Sequence, residues 1–210
     1  MAVAVETNEP QGEADISVRP ASEVSWEELQ TVFGTRGDAA TCQCQRFKIR
    51  DRDWSGVPVE ARAERLREQT NCGDPDAPAT SGLVAFIGDE PVGWCSVEPR
   101  TEYPRLMRTR VPWLERDEDK TDAVVWAVTC FVTRVRYRYR GVSRALAVAA
   151  VDFARVRGAR ALEGYPMVVP PGKEITWGEL LVGSHSIFAD AGFTEVTRPT
   201  LRRAVMRIDF

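Results

Sequence analysis

The chain holds a single histidine, His185, in 210 residues, and no apolar run approaches the ~20 residues that a membrane-spanning helix needs. The second absence argues against a membrane protein, and a lone histidine beside a helix start is more often a surface or capping residue than a catalyst. The N-terminus, Met1 to Asp15, lacks the basic-then-apolar order of a secretory signal, so a cytoplasmic protein is expected. Cysteine is scarce and odd in number. Cys42, Cys44, Cys72, Cys95 and Cys130 follow no framework spacing in a chain long enough to bury a core without staples, so reduced thiols are expected. There is no excess of positive charge either: 28 Lys and Arg against 31 Asp and Glu leave a formal charge of -3, which argues against general nucleic-acid binding. No internal repeat is visible.

What is present, 43% hydrophobic and 28% charged residues, is ordinary for a soluble globular domain. Against that background one stretch stands apart. Arg134, Arg136, Arg138, Arg140 and Arg144 crowd around Gly141, between an apolar, β-branched run (Ala123 to Thr133) and a segment of helical spacing (Ser143 to Arg157). Strand, glycine turn and helix N-terminus in that order present unpaired backbone N–H groups and the positive end of a helix dipole. An anion is the natural guest, and Gly141 lets the backbone approach it without a Cβ in the way.

Elsewhere the reading is local. Residues 1–15 lack periodicity and are expected to be a disordered lead-in, and 16–210 are expected to form one domain beginning with a strand at Ile16 to Pro20. Ser25 and Glu28 form a capping box for a helix that stops at Gly34. Residues 35–55 read as irregular, 59–69 as a surface helix, and 82–87 with 91–98 as a hairpin around Gly88-Asp89. Two long connections, 99–122 and 166–183, flank the buried strand and the next one, Ala159 to Tyr165. A short helix from Ser184 to Ala191 and two closing strands, 193–197 and 204–210, around a turn at Pro199 complete the chain.

This order resembles the GNAT superfamily of N-acetyltransferases over about residues 16–210. Its most specific local piece is Arg138-Tyr139-Arg140-Gly141-Val142-Ser143, set against the family's acetyl-CoA signature of Gln or Arg, two residues, Gly, one residue, then Gly or Ala; Ser143 departs at the last position. Ala191-Gly192-Phe193 matches a second piece. The resemblance implies an α/β (α+β) fold, a central mixed sheet flanked by helices with acetyl-CoA in the splay between central strands. It implies that the amides near Tyr139, Gly141, Ser143, Arg144 and Ala145 hold the pyrophosphate, with Arg138, Arg140 and Val142 in the same turn. Phe131, Val132 and Thr133 would line the pantetheine, and one of Arg134, Arg136 and Arg138 would meet the nucleotide phosphate.

Acetyl transfer to an amine needs a base, a backbone donor for the oxyanion and an acid for the departing thiolate. In many GNAT members the acid is a tyrosine four residues before the Gly of the Gly-Phe pair; here that position is Phe188, beside the cofactor but without a proton to give. Departure assisted by water, by Ser184 or Ser186, or by Tyr165 remains, with capping as the plainer part for Ser184. For the base, Glu98 at the hairpin end and Glu163 on the strand after the helix are the candidates. A solvated strand end and a cross-strand ion pair are their plainer parts.

The acceptor is unidentified, a small amine being the expectation, and a homodimer is left open. A non-catalytic acyl-CoA sensor is the second reading. A zinc site built on Cys42 and Cys44 with Cys72 or Cys95 is the third, although Cys42-Gln43-Cys44 is tighter than the roughly two to four intervening residues usual for structural zinc.

Overall fold

The computed structural model describes residues 15–169 and 176–210. The expected disordered lead-in therefore lies outside the described residues but for Asp15, as does 170–175 of the second long connection. In chain order the elements are β1 (Ile16–Pro20), α1 (Trp26–Phe33), α2 (Gly37–Cys42), α3 (Asp51–Trp54), α4 (Val59–Thr70), β2 (Gly82–Ile87) and β3 (Glu90–Pro99). Then come α5 (Pro104–Arg108), β4 (Val125–Thr133), α6 (Val142–Val156), β5 (Ala161–Gly164), α7 (Trp177–Leu180), α8 (His185–Asp190), β6 (Thr194–Thr200) and β7 (Arg203–Asp209).

The strands form one mixed sheet in the order β1-β2-β3-β4-β5-β7-β6, antiparallel throughout except for β4 and β5. A parallel pair requires a crossover, and α6 supplies it. Its Val142, Leu146, Ala147, Ala150, Val151, Phe153 and Ala154 are buried, as the helical spacing requires, and pack with Leu83, Ala85, Cys95, Val97 and Phe131 on one sheet face. The alternate residues of the same strands, Val84, Phe86, Trp94, Cys130 and Val132, face Leu29, Val32 and Phe33 of α1 and Leu66 of α4. Burial on both faces explains why the central strands read as nearly continuous apolar runs. Truncating one such side chain, Leu146→Ala, is expected to cost about 2–5 kcal/mol.

The capping box forms as expected: Glu28 N–H donates to Ser25 Oγ at 3.1 Å and Ser25 N–H to Glu28 Oε2 at 2.7 Å. Two expectations shift. The stretch 35–55 contains the short helices α2 and α3, and Pro199 lies within β6, the reversal coming at Leu201 and Arg202. β6 is the outermost strand and its register with β7 is broken between Thr197 and Thr200, so a residue without an N–H is tolerated there.

Two irregularities shape the centre of the sheet. Opposite Ser96 and Val97 the register of β4 skips one residue, Thr129, a β-bulge. The parallel register of β4 with β5 ends at Val128 opposite Gly164, so β4 from Thr129 to Thr133 outruns its neighbour.

Candidate active site

Beyond Thr133 the chain makes a single 3-10 turn, Val135–Tyr137, and enters α6 with Gly141 as its N-cap. Arg138 is extended, whereas Tyr139 (φ 62°) and Gly141 (φ 83°) are left-handed. The two left-handed residues turn the chain sharply into the helix. The first helical hydrogen bond is Ala145 N–H to Gly141 O at 2.9 Å, so the Val142, Ser143 and Arg144 amides precede it, and no side chain caps the helix. A Cβ at Gly141 would meet only Ile16 Cδ1, 3.9 Å away, so the positive φ rather than space calls for glycine. Tyr139 holds its left-handed backbone while 95% exposed, a strain of about 1–3 kcal/mol of the kind that collects at functional turns. Ser143, the irregular signature residue, shares a 3.1 Å hydrogen bond with Thr133 Oγ1, tying the helix start to the strand end.

Where β4 outruns β5, the chain itself fills the gap. Phe131 N–H donates to Leu181 O at 2.6 Å, Met167 N–H to Gly183 O at 3.0 Å, and His185 N–H to Met167 O at 3.1 Å. Residues 181–184 thus lie between β4 and the continuation of β5. Gly183 (φ +84°) fits because a Cβ there would sit 2.8 Å from the Phe188 ring and 3.0 Å from Phe131. Phe188 is fully buried and meets Phe131 and Phe193 edge-on, with centroids at 5.7 and 5.1 Å.

This mixed sheet, with β4 and β5 as the one parallel strand pair among the described residues and α6 as its crossover, has counterparts in overall fold among solved structures. A GCN5-related N-acetyltransferase from Kribbella flavida superposes with a TM-score of 0.52 at 19% identity, covering 95% of this chain and 100% of that one. An N-acetyltransferase from Staphylococcus aureus Mu50 gives 0.52 at 9% identity, over 93% and 98% of the two chains. The yncA protein of Salmonella typhimurium, solved with its cofactor acetyl-CoA, gives 0.51 at 12% identity over 92% and 93%. The chain has the GNAT fold. No protein-family model and no curated protein matches the sequence.

Within this GNAT frame the two candidate bases have different surroundings. Glu163 is completely buried and accepts from Arg116 Nη1 at 3.2 Å, from Arg207 Nη1 at 2.8 Å and from Tyr165 Oη at 2.8 Å, with Arg100 Nη1 at 3.5 Å. It stands opposite Arg207 in the β5–β7 register, the cross-strand ion pair that was its plainer part. Both carboxylate oxygens are taken up by these partners, so its geometry is that of a charge-pairing residue. Tyr165 is buried, with its hydroxyl given to Glu163.

Glu98 is half-buried at the end of β3, in ionic contact with Lys48 though not in hydrogen-bonding geometry. Burial raises its pKa, against the lowering effect of the Lys48 ammonium. Beside it stands Tyr103, fully buried, whose hydroxyl is 2.9 Å from Ser96 Oγ and whose ring lies under Lys48 Nζ at 5.4 Å. Burial, then the Glu98 charge, drives the Tyr103 pKa well up, while hydrogen bonds to Ser96 and to Thr129 at the bulge oppose the rise. The phenol therefore stays protonated. Glu98, Tyr103, Ser96 and Thr129 form a polar line from the end of β3 to the bulge of β4. The sequence reading missed Tyr103 and Lys48: both lie in connections, and nothing in their spacing to Glu98 marks them.

The remaining candidates are quickly placed. Ser184 occupies the N-cap position of α8, but its hydroxyl pairs with Ser186 Oγ at 3.0 Å instead of capping an amide. His185 Nε2 lies 3.0 Å from Glu195 Oε2. Arg134 pairs with Glu90, Arg144 with Asp190, and Arg140 stacks over Tyr137 at 5.5 Å. All five cysteines are free, and among the described residues no three metal-ligating side chains are grouped. Burial pushes the Cys42 thiol up to about 11, which disfavours the thiolate a metal would need. Among the described residues no helix is long and apolar enough to cross a membrane.

Proposed function

We propose that the chain is an acetyl-CoA-dependent N-acetyltransferase in which the amine of a small acceptor attacks the thioester directly. The observation that carries this reading is the amide cradle at the head of α6, set at the end of the β4 edge that β5 leaves uncovered. The residues fit the coenzyme in kind: amides and a helix N-terminus for the pyrophosphate, main-chain groups of β4 for the pantetheine amides, and Phe131 with Phe188 for its apolar surroundings. Bound acetyl-CoA would supply an acyl group already activated as a thioester.

On this reading the Val142, Ser143 and Arg144 amides hold the pyrophosphate, and Phe131 N–H orients the pantetheine. That N–H is held by the Leu181 carbonyl and would have to be released first. Glu98 takes the acceptor's proton, directly or along Tyr103 and Ser96. Its raised pKa suits a base, and Lys48 keeps it from remaining protonated. Phe188 excludes water and gives no proton, which leaves the thiolate to solvent or to Ser184. Calorimetric titration with acetyl-CoA tests the reading, with saturable binding expected in the native chain and none after Gly141→Asp with Ser143→Glu. Equal affinity in both chains overturns it.

A non-catalytic acyl-CoA sensor is the second reading, favoured by Phe188 at the usual acid position and by the Leu181 carbonyl on Phe131. A screen of amines for thiol release separates the two: turnover on any amine rejects the sensor, and tight coenzyme binding without turnover on all of them supports it.

A further inference from the structure

Outside the polar line of Glu98 the surface is grooved, and the groove is basic. One depression of about 460 Å³ is lined in part by Lys48, Arg50, Asp53, Arg65 and Arg108. A second, of about 390 Å³, is lined by Arg50, Asp51, Arg52, Arg105, Arg108 and Thr109. They share Arg50 and Arg108, so they adjoin, and together they carry six cationic side chains against two aspartates on a chain of net charge -3. The aspartates are already engaged: Asp53 with Arg50 at 3.0 Å and Arg52 at 3.5 Å, Asp51 with Arg105 at 3.2 Å and Arg46 at 3.4 Å. Arg65 and Arg108 make no ion pair among the described residues and are exposed.

The walls are braced. Arg62 of α4 donates to Thr41 O at 2.8 Å and Trp54 O at 2.9 Å and stacks on the Trp54 ring at 3.7 Å, while Arg105 N–H ties α5 to Phe47 O at 3.1 Å. Crowding of like charges has a cost, visible at Arg105, whose guanidinium is destabilised by burial and then by Arg46. A solvated face would spread these charges and intersperse acids. Here they line two adjoining depressions, and the lining includes Lys48, the partner of Glu98. Cations lining a cleft focus the field and draw in an anion, and arginine forks match an oxyanion two bonds at a time.

We infer that this groove takes the oxyanion end of the acceptor, a small amine that also carries a carboxylate or phosphate, and directs its nitrogen toward Glu98. The amine end of the inference rests on the acetyltransferase reading; the oxyanion end rests on the groove. Polycationic amines are excluded from the site by the same charges.

Calorimetry on the full chain tests this with O-phosphoserine, L-glutamate, L-serinamide, which has the amine but no oxyanion, and spermidine as probes. O-Phosphoserine, L-glutamate or both are expected to bind about ten-fold or more tighter than serinamide and spermidine, and to weaken as salt rises. In the Arg65→Glu/Arg108→Glu variant that preference is expected to vanish, while the melting temperature and acetyl-CoA affinity hold. Whichever oxyanion binds tighter identifies the acceptor's group. The inference is overturned if neither oxyanion binds better than serinamide, or if the double variant keeps the preference. Oxyanion binding without any acetyl-CoA binding would leave the groove standing and remove the transferase.

Discussion

Two groups of arginines face opposite fates at opposite ends of β4. Among the five between Arg134 and Arg144, all at least partly exposed, Arg134 pairs with Glu90, Arg144 with Asp190, and Arg140 stacks on Tyr137. Arg100 and Arg116 are nearly sealed, at 1% and 3% side-chain exposure, and with Arg207 they surround the buried Glu163. Their arginine density in the sequence says little about this difference. The exposed group is open to a ligand that displaces water, whereas the buried group has its counter-ion built in.

The largest expected effect would break the comparison at the cage. Glu163→Gln leaves three guanidiniums short of a counter-charge and is expected to lower stability by about 3–5 kcal/mol in urea unfolding, with acetyl-CoA affinity of the folded fraction unchanged. Intact stability with lost turnover would instead return Glu163 to the chemistry. At the turn, Gly141→Asp places a side chain on a left-handed backbone and a negative charge in the cradle. Stability is expected to fall by about 1–2 kcal/mol and acetyl-CoA binding to be lost, both read by calorimetry. Between the two regions, Phe188→Tyr adds a hydroxyl to a sealed aromatic cluster, costing about 1–3 kcal/mol if it finds no partner. A rise in kcat despite that cost would show that the missing acid limits turnover; unchanged kcat would assign proton delivery elsewhere.

The smallest effects are in pH. Glu98 has its pKa raised by burial, so catalysis that needs its carboxylate should rise with pH along a limb above the ordinary glutamate value, and Lys48→Met should move that limb higher still. An unmoved limb in that variant excludes Glu98 as the base. In stability the signs oppose. Glu98, with a raised folded pKa, contributes stability below the ordinary glutamate pKa and loses it as pH rises through the folded value. Burial would also raise Glu118, but Arg100 and Arg116 outweigh it and lower the pKa, so its contribution is present above the ordinary value and lost as pH falls through the folded one. Urea unfolding of Glu98→Gln and Glu118→Gln across acidic pH should show the two slopes with opposite sign.

Much of the frame was legible because its causes are local. The Ser25–Glu28 box, the hairpin at Gly88-Asp89 and the passage from β4 through Gly141 into α6 each depend on neighbours within a few residues. Phe131 and Phe188 were expected beside the coenzyme through the family resemblance alone; the structure shows them packed edge-on in a buried aromatic cluster. The base was less legible. Glu98 and Glu163 are alike as letters on strand ends, and the distinction comes from Lys48 and Tyr103 on one side and from Arg100, Arg116 and Arg207 on the other.

By itself the sequence determined where strands and helices begin, the glycine that must turn left-handed, and the row of amides at the head of α6, since dihedral preference and hydrophobic period act over short stretches of chain. Only the tertiary structure decided that Leu181 lies on Phe131, that Glu163 is caged, and that Lys48, Arg65 and Arg108 share one groove. Those depend on which distant segments close onto one another, and electrostatic character belongs to the neighbours so gathered and the water they exclude.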